Sequence, residues 1–541
     1  MSYSVVITAD RGSFTDYSRS TALGYVACMP YRLVPRIMMD KIFAPELKTG
    51  REVEAKFAPY ALRKVEASVY SAGIKSVGVV PPSALERAVD SNTKVVGISV
   101  HDPYGLSPVS TKLTMLFGGG PSWTARFFEE LGEKVSELKK KYGFRVIVGG
   151  PGVWQMSLER PDWVDVVFNG EVEVDMPKVI NDLVAGREVP RIVNGRNAPV
   201  EQIPTIIKPS RMGEVQITRG CPRGCQFCSI TPETFRTIPM EQIKRELSIN
   251  IAAGETVSDL ITDDIMLYGS KRLGVNHEAI VNLFSEVKKM GIEQMYFSHI
   301  SAPPVVQSPE TVEAISHIAE YDRYGAETPV IGLESGSERI ISKYMRGKPF
   351  PYRPEQWGEV IVESARILAD NHVHACYTMT IGYPDETDED VEKSIRLVED
   401  IIESGVKVWV FPLPVIPITS TRLAKNPFPA LEKLPSKYWE LLYIAWKHDL
   451  KVTRDLMPGL NARLNNGVVA KMVEFMTDRI FSSIEDVFKE FMETKGRKAY
   501  DYSKIDLSGM LGAVKSVYWL SLSVINKHRE QESKGAVSVS S

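Results

Sequence analysis

Three of the chain's five cysteines crowd into ten residues, Arg219-Gly220-Cys221-Pro222-Arg223-Gly224-Cys225-Gln226-Phe227-Cys228, a C-x3-C-x2-C spacing interleaved with glycines. Thiols that close can serve one centre only if the backbone wraps into a tight loop, so this segment fixes the local fold. A zinc site closed by protein wants four ligands, usually as two C-x2-C pairs, and four thiolates would close an iron–sulfur cluster. The other cysteines, Cys28 and Cys376, are remote in sequence. The spacing therefore points to an iron–sulfur cluster with one iron left open to a substrate or cofactor. The competing readings are a chance cluster or a zinc loop completed by a distant histidine.

At 541 residues the chain has length for two or three domains, each with its own core. Its 65 basic and 68 acidic residues leave a formal net charge of −3, so no global electrostatic case exists for a nucleic-acid partner. Few cysteines, mostly clustered, argue against a disulfide framework and for a reducing, cytoplasmic setting. The N-terminus enters a short apolar run at Val5 without a basic leader. The most apolar long stretch, Leu507 to Ile525, contains Lys515 and several serines, so a buried or amphipathic helix is expected there rather than a membrane span. Peripheral membrane contact stays open.

The first 200 residues or so alternate Val/Ile-rich runs (Val5 to Thr8, Lys94 to Val100, Arg145 to Val148, Val164 to Phe168) with an amphipathic helix over Ser122 to Lys141. This predicts an open parallel α/β sheet, with Gly149-Gly150-Pro151-Gly152 read first as a structural turn and, alternatively, as room for a ligand to approach its carboxyl edge. A connector over Ile203 to Pro209 leads to strand candidates at Glu214 to Thr218, Ser258 to Thr262, Gln294 to Ser298, Pro329 to Leu333, Ala375 to Ile381 and Val406 to Pro412. Helical stretches such as Met240 to Ala253 and Pro354 to Asn371 separate them, which predicts a partial TIM-like barrel with chemistry at the carboxyl strand ends. Beyond it, Tyr438, Leu442 and Trp446, then Met472, Phe475, Met476, Ile480, Ile484, Phe488 and Phe491, form helical apolar stripes that serve as core or as cover for an apolar substrate. The expected fold class is α/β in three parts: a Rossmann-like domain over 1–202, the barrel over 203–427 and a helical domain over 428–541 with a disordered tail.

The cysteine loop with the strand ends after it resembles the radical S-adenosylmethionine (SAM) superfamily over roughly residues 205 to 425. The resemblance implies a [4Fe–4S] cluster on Cys221, Cys225 and Cys228 whose open iron chelates SAM. One electron from the cluster would then yield a 5′-deoxyadenosyl radical that takes hydrogen from an unactivated C–H bond. It further implies SAM contacts from Asp263 and Asp264 (Leu260-Ile261-Thr262-Asp263-Asp264), from Glu334 and Ser335 (Gly332-Leu333-Glu334-Ser335-Gly336-Ser337) and from Gly382 (Ile381-Gly382-Tyr383-Pro384-Asp385-Glu386-Thr387), with Phe227 beside adenine. His299 faces the cavity if the barrel reading holds, as a substrate-site or a satisfied polar residue. Cys376 reads as a buried apolar residue before a hydrogen-atom donor.

The first 200 residues resemble the cobalamin-binding-type domain of one radical SAM branch. Val100-His101-Asp102-Pro103-Tyr104-Gly105 departs from the D-x-H-x-x-G motif that supplies a histidine to cobalt, so His101 is expected in a loop or on the substrate side, and cobalamin, if bound, is expected to lack a histidine on its lower face. The Thr8-Ala9-Asp10-Arg11, Asp102-Pro103-Tyr104-Gly105-Leu106 and Gly150-Pro151-Gly152-Val153-Trp154-Gln155 segments are similar to archaeal tetraether lipid (GDGT) ring synthases. That resemblance implies an apolar or lipid substrate, cyclopentane ring formation and a reducing partner such as a ferredoxin or flavodoxin. The alternative is a cobalamin-dependent radical SAM methyltransferase; a non-catalytic cluster or cobalamin-binding protein fits the strand ends less well.

Overall fold

The computed structural model describes residues 3–495, apart from 18–20, 51–52, 118–119, 325–327, 431–433, 462–484, 487–488 and 491. The second apolar stripe, Met472 to Phe491, and the Leu507 to Ile525 stretch lie outside the described residues.

Six parallel strands build the first sheet: β1 (Val5–Ala9), β2 (Val77–Val79), β3 (Val95–Ser99), β4 (Arg145–Gly149), β5 (Val166–Gly170) and β6 (Ile192–Gly195), in the order β2-β1-β3-β4-β5-β6. Alternate side chains go to opposite faces. Val5, Ile7 and Ala9 pack with Leu62 and Val69 of the Tyr60–Ser71 helix and Met176 and Ile180 of the Met176–Val184 helix, while Val6, Val96 and Val146 meet Phe128, Leu131 and Val135 of the Trp123–Tyr142 helix. That last helix starts where Ser122 caps Ala125 N and stops at Gly143, which takes the left-handed conformation. Both β2 and β6 escape sequence reading because they are three and four residues long, and Ile192 is exposed at the edge. Sheet order reverses between β1 and β3, so the carboxyl ends of these two strands, at Asp10 and His101, form the switch point where such sheets hold ligands.

The second body begins at β7 (Val215–Gln216), where the chain turns into β8 (Thr218–Arg219) to pair antiparallel with β9 (Arg236–Thr237). It continues through β10 (Val257–Ile261), β11 (Gln294–Phe297), β12 (Val330–Glu334), β13 (Cys376–Ile381) and β14 (Trp409–Pro414). Two parallel three-stranded sheets, β7-β10-β11 and β12-β13-β14, are joined through a bridge between His299 and Val330. Odd positions on β13 and β14 (Cys376, Thr378, Thr380; Trp409, Phe411, Leu413) are partly accessible and line the lumen, whereas the even ones are buried against helices. The first strand is shorter than Glu214 to Thr218 and the last lies further along than Val406 to Pro412. Gly405 at positive φ ends the preceding turn, so Val406 and Lys407 still belong to the approach.

Six strands do not close a barrel, and the N-terminal part covers the gap between β7 and β14. Arg211, just before β7, donates to the carbonyls of Ser13 and Thr15, while Tyr25 lies 5.6 Å from Phe411 of β14. The Pro108–Leu116 helix also packs on β14, and Leu113 and Leu116 belong to the barrel's core. Tyr438 and Leu442 of the Tyr438–Asn461 helix are buried in that core, and Trp446 packs 6.4 Å from Phe411. Among the described residues no helix is long and apolar enough to cross a membrane.

Candidate active site

The cysteine loop leaves the end of β8 at the carboxyl side of the barrel. Gly220 enters it with φ +81°, a conformation side chains rarely adopt, and a Cβ there would press on the carbonyls of Glu233 and Thr234. Two neighbours hold the loop's shape. Arg223, buried, pairs with Asp264 at 3.1 Å and donates to the Lys348 carbonyl, while Gln226 N donates to the Tyr344 carbonyl at 2.9 Å. Cys221, Cys225 and Cys228 share one dry pocket and feel each other electrostatically. Burial pushes all three thiols up, Cys225 to about 12. Among the described residues no three His, Cys, Asp or Glu side chains converge closely enough to share one metal ion. Three thiols from one loop fit a cluster with one iron left open, whereas a zinc site closed by protein wants four ligands. Arg223 Nε is a buried donor with no hydrogen-bond acceptor among the described residues, a group free for an occupant of the pocket.

Four strand ends meet this loop. At the end of β10, the two acids go opposite ways. Asp263 accepts from Gly220 N and faces His299, and burial raises its pKa. Asp264 instead turns inward, 2% exposed, to Arg223 and the Met266 amide, so it anchors the loop and does not present its carboxylate to SAM. His299, past β11, is exposed at the cavity; its Nδ1 lies 3.2 Å from the Thr262 carbonyl. A carbonyl can only accept, so Nδ1 carries the proton and Nε2 is the bare nitrogen of the neutral ring. Although its edge opens to the cavity, the ring is enclosed by the surrounding strand ends, and this desolvation lowers its pKa and favours the neutral form.

At the end of β12, Glu334 sits at φ +65° with a register shift against β13, which swings its carboxylate into the lumen. It accepts from Lys348 Nζ at 2.6 Å and from Thr380 Oγ1 at 3.2 Å. A Cβ on Gly332 would collide with both Glu334 and Lys348, which explains the glycine. Lys348 is the functional residue the sequence reading missed. It lies outside every motif, and only the fold brings it to Glu334 and Cys225. Ser335 does not reach the site: it is fully buried, accepts from Ser337 N and faces Ser394. Its neighbour Ser337 caps the next helix.

Gly382, past β13 at φ +90°, donates its N–H to Glu386, whose pKa burial raises to about 7. Phe227 meets Tyr383 edge to face at 6.2 Å, and Tyr383 stacks on Tyr344 at 4.6 Å, giving an aromatic wall beside the cysteines.

The carboxyl edge of the first sheet is tightly self-packed. A Cβ on Gly150 would press on Val100, and one on Gly152 would collide with the His101 carbonyl, so these glycines admit the β3 loop of the chain itself and not a ligand. Asp102 is buried and spends its carboxylate on Ser107, Ser110, Thr124 and Gln155. His101 remains exposed at the same edge.

Residues 215–398 match the family model described as the radical SAM superfamily. This segment is a radical SAM domain. A 289-residue stretch, 51% of the chain, is 21% identical to 57% of a tRNA-2-methylthio-N(6)-dimethylallyladenosine synthase from Actinobacillus succinogenes. Another, 47% of the chain, is 25% identical to 58% of an uncharacterized methyltransferase from Pyrococcus horikoshii. The chain thus spans less than two thirds of the length of either relative. Among solved structures, the radical SAM methyltransferase TsrM from Kitasatospora setae, with cobalamin and a [4Fe–4S] cluster bound, superposes with a TM-score of 0.51 at 14% identity, over 78% of this chain and 74% of that one. The same enzyme with tryptophan substrate and a SAM analogue gives 0.50 over 77% and 75%. At such identity the likeness shows a shared fold, a partial parallel barrel preceded by a parallel sheet.

Proposed function

We propose that this radical SAM enzyme takes hydrogen from unactivated carbon of an apolar substrate held in the barrel lumen. What carries the reading is the meeting, at one end of the lumen, of the three-cysteine loop with the buried Glu334–Lys348 pair. When bound, the cluster and SAM supply a 5′-deoxyadenosyl radical. The amino-acid part of SAM carries one ammonium and one carboxylate, and Glu334 and Lys348 offer the complementary charges side by side. Phe227, backed edge to face by buried Tyr383, offers an apolar ring against which adenine can lie. Asp263 and the neutral His299 stand across the mouth, where they can hold or accept a proton.

Below that level the inward positions of the strands set Val257, Ile261, Cys376, Trp409, Phe411 and Leu413 among the polar Asp259, Gln294, Tyr296, Thr378 and Thr380, with Tyr25 covering the gap. Its apolar stretch, Phe411 and Leu413 with Tyr25, supports a saturated hydrocarbon substrate and, as its finer form, ring closure in an isoprenoid tetraether lipid. Methyl transfer is the second reading, favoured by the switch point of the first sheet lying toward the barrel. Cobalamin belongs to that reading, yet Asp102 is saturated and the nearby glycines are filled by the chain itself, so no residue here is assigned to cobalt.

The test is anaerobic reconstitution with reductant and SAM, followed by assay for 5′-deoxyadenosine and mass analysis of lipid product. Ring closure yields 5′-deoxyadenosine and a product lighter by hydrogen atoms; methyl transfer yields one heavier by a CH2 unit and a protein that copurifies with corrinoid. Absence of 5′-deoxyadenosine from cluster-loaded protein overturns the proposal.

A further inference from the structure

The two halves of the barrel line the lumen differently. On β14 the inward positions are Trp409, Phe411 and Leu413, a largely hydrocarbon surface. On β10 and β11 they include Asp259, Gln294 and Tyr296. Strand register sets Asp259 beside Tyr296, whose OH donates to Gln294 Oε1 at 2.9 Å. A carboxyl withdrawn from water into such a space is costly unless something hydrogen-bonds to it.

Asp259 has no hydrogen bond and no ion pair among the described residues, and its side chain stays partly accessible from the lumen. The charges next to it are already matched to one another. Arg211 Nε pairs with Glu214 at 2.9 Å, and the same guanidinium donates to the carbonyls of Ser13 and Thr15. The other oxygen of Glu214 accepts from Tyr60 N at 2.8 Å. Asp259 therefore keeps its hydrogen-bonding capacity turned toward whatever fills the lumen. Bringing an ammonium or a carboxylate there forfeits far more hydration than bringing a hydroxyl, and a carboxylate would also meet the like charges of Asp259 and Glu214. A hydroxyl both donates and accepts, so it matches a carboxyl in either protonation state. Desolvation raises the pKa of Asp259 to about 7, which makes both states accessible near neutral pH.

We propose that Asp259 binds a hydroxyl group of the substrate, which is thus an alcohol whose hydrocarbon body lies along the Phe411 and Leu413 side of the lumen. The proposal deepens the apolar-substrate reading given above and rests on it. Asp259 stands two residues below the end of β10, roughly 7 Å by strand geometry. A hydroxyl held at that depth places the attacked carbon several bonds away from it, toward the strand ends where the cysteine loop and Glu334 meet.

The experiment uses full-length, cluster-loaded protein with SAM and compares wild type with Asp259→Leu and Asp259→Asn. Binding of octanol, octane, octylamine and octanoate, which differ only at one end, is measured by equilibrium dialysis. In Asp259→Leu, octanol binding is expected to weaken about tenfold or more while octane binding does not weaken and iron content is unchanged. Asp259→Asn keeps a donor and an acceptor, so it should retain octanol binding. Equal octanol affinity in wild type and Asp259→Leu, or a wild type that binds no octanol, overturns the proposal. Parallel loss of octanol and octane in both variants overturns it in favour of a structural role. A wild-type preference for octylamine or octanoate that Asp259→Leu abolishes overturns it in favour of a charged group. Probe binding needs no turnover, so failure of wild type to form 5′-deoxyadenosine with dithionite is the separate outcome that removes the radical SAM reading.

Discussion

At the scale of single residues, environment decides which acids, thiols and amines are available. Cys221, Cys225 and Cys228 are held as protonated thiols by burial, so iron must displace their protons, and two remaining thiols cannot replace a lost third. Alanine at any of them is expected to abolish iron retention and 5′-deoxyadenosine formation, whereas Cys28→Ala keeps both; iron content and the nucleoside assay check this. Glu334→Gln should leave the cluster in place but weaken SAM binding by about tenfold or more, because a charge-assisted bond is lost, which equilibrium titration with SAM would measure. Lys112 provides a pH-dependent case. It is 1% exposed, lies 3.6 Å over the Phe411 ring and has no hydrogen-bond acceptor among the described residues, and burial lowers its pKa from 10.5 to about 7. Between those two values the unfolded chain binds the proton that the folded chain lacks, so this residue makes stability rise with pH across that window. Urea denaturation of Lys112→Met over the same range should show that rise removed; a parallel pH profile for wild type and variant would contradict it. The cysteines were legible because their spacing alone carries the chemistry. Asp263 and Asp264 were not separable, since neighbours at a strand end point to opposite sides, and only the placement of Arg223 tells which one is spent.

At the scale of elements, alternation and caps made most strands readable, while glycines concealed two different uses. Strands β3, β4, β10, β11 and β13 follow from runs of Val, Ile and aromatic residues, but β2 and β6 are too short to show a period. Gly150 and Gly152 read as a structural turn or as room for a ligand, and three-dimensional packing favours the turn, closed against the β3 loop, a contact no local pattern encodes. Gly152→Ala should therefore destabilise the first sheet by about 1–3 kcal/mol through the collision with the His101 carbonyl, seen as a lowered melting temperature. Gly347→Ala pushes instead on the Arg223 carbonyl, and its expected effect is on the cluster loop: lower iron retention with far-UV circular dichroism like wild type. If both alanines merely shifted melting temperature with full iron content, the packing of the 343–353 segment against the loop would not govern cluster retention.

Across the whole molecule, the sheet and the barrel are tied by charges that neither part satisfies alone. Glu171, at the carboxyl end of β5, accepts from Arg219 at 2.9 Å and from Arg236 at 2.5 Å, and also from Ala198 N, all with side chains 11% exposed or less for the three charged groups. Lys64 of the first body pairs with buried Glu246 of the second, and Tyr60 OH donates to the same carboxylate. The sequence shows these residues but not their pairing, because each partner is separated by scores of residues and belongs to no motif. Burial pushes the Glu171 pKa up, yet the bonds from Arg236, Ala198 N and Arg219 more than offset this and hold it below the ordinary glutamate value of 4.5. A depressed folded-state pKa means that the clamp's contribution is complete above the ordinary glutamate range and is lost as pH falls through the folded value. Glu171→Gln takes the carboxylate from buried Arg236 while Arg219 keeps Glu173 at 2.9 Å, so the expected cost is roughly 3 kcal/mol at neutral pH, from one uncompensated cation. Arg219 begins the cysteine loop, so loosening should spread to the site: protease sensitivity should rise in the 195–214 connector, and iron should be lost faster on dilution. Wild type should approach the variant's behaviour as the buffer is acidified below the ordinary glutamate value, while the variant itself changes less. Equal protease sensitivity and iron loss in wild type and Glu171→Gln at neutral pH would show that the two bodies are held by their apolar contacts, chiefly the Pro108–Leu116 helix on β14, and not by this clamp.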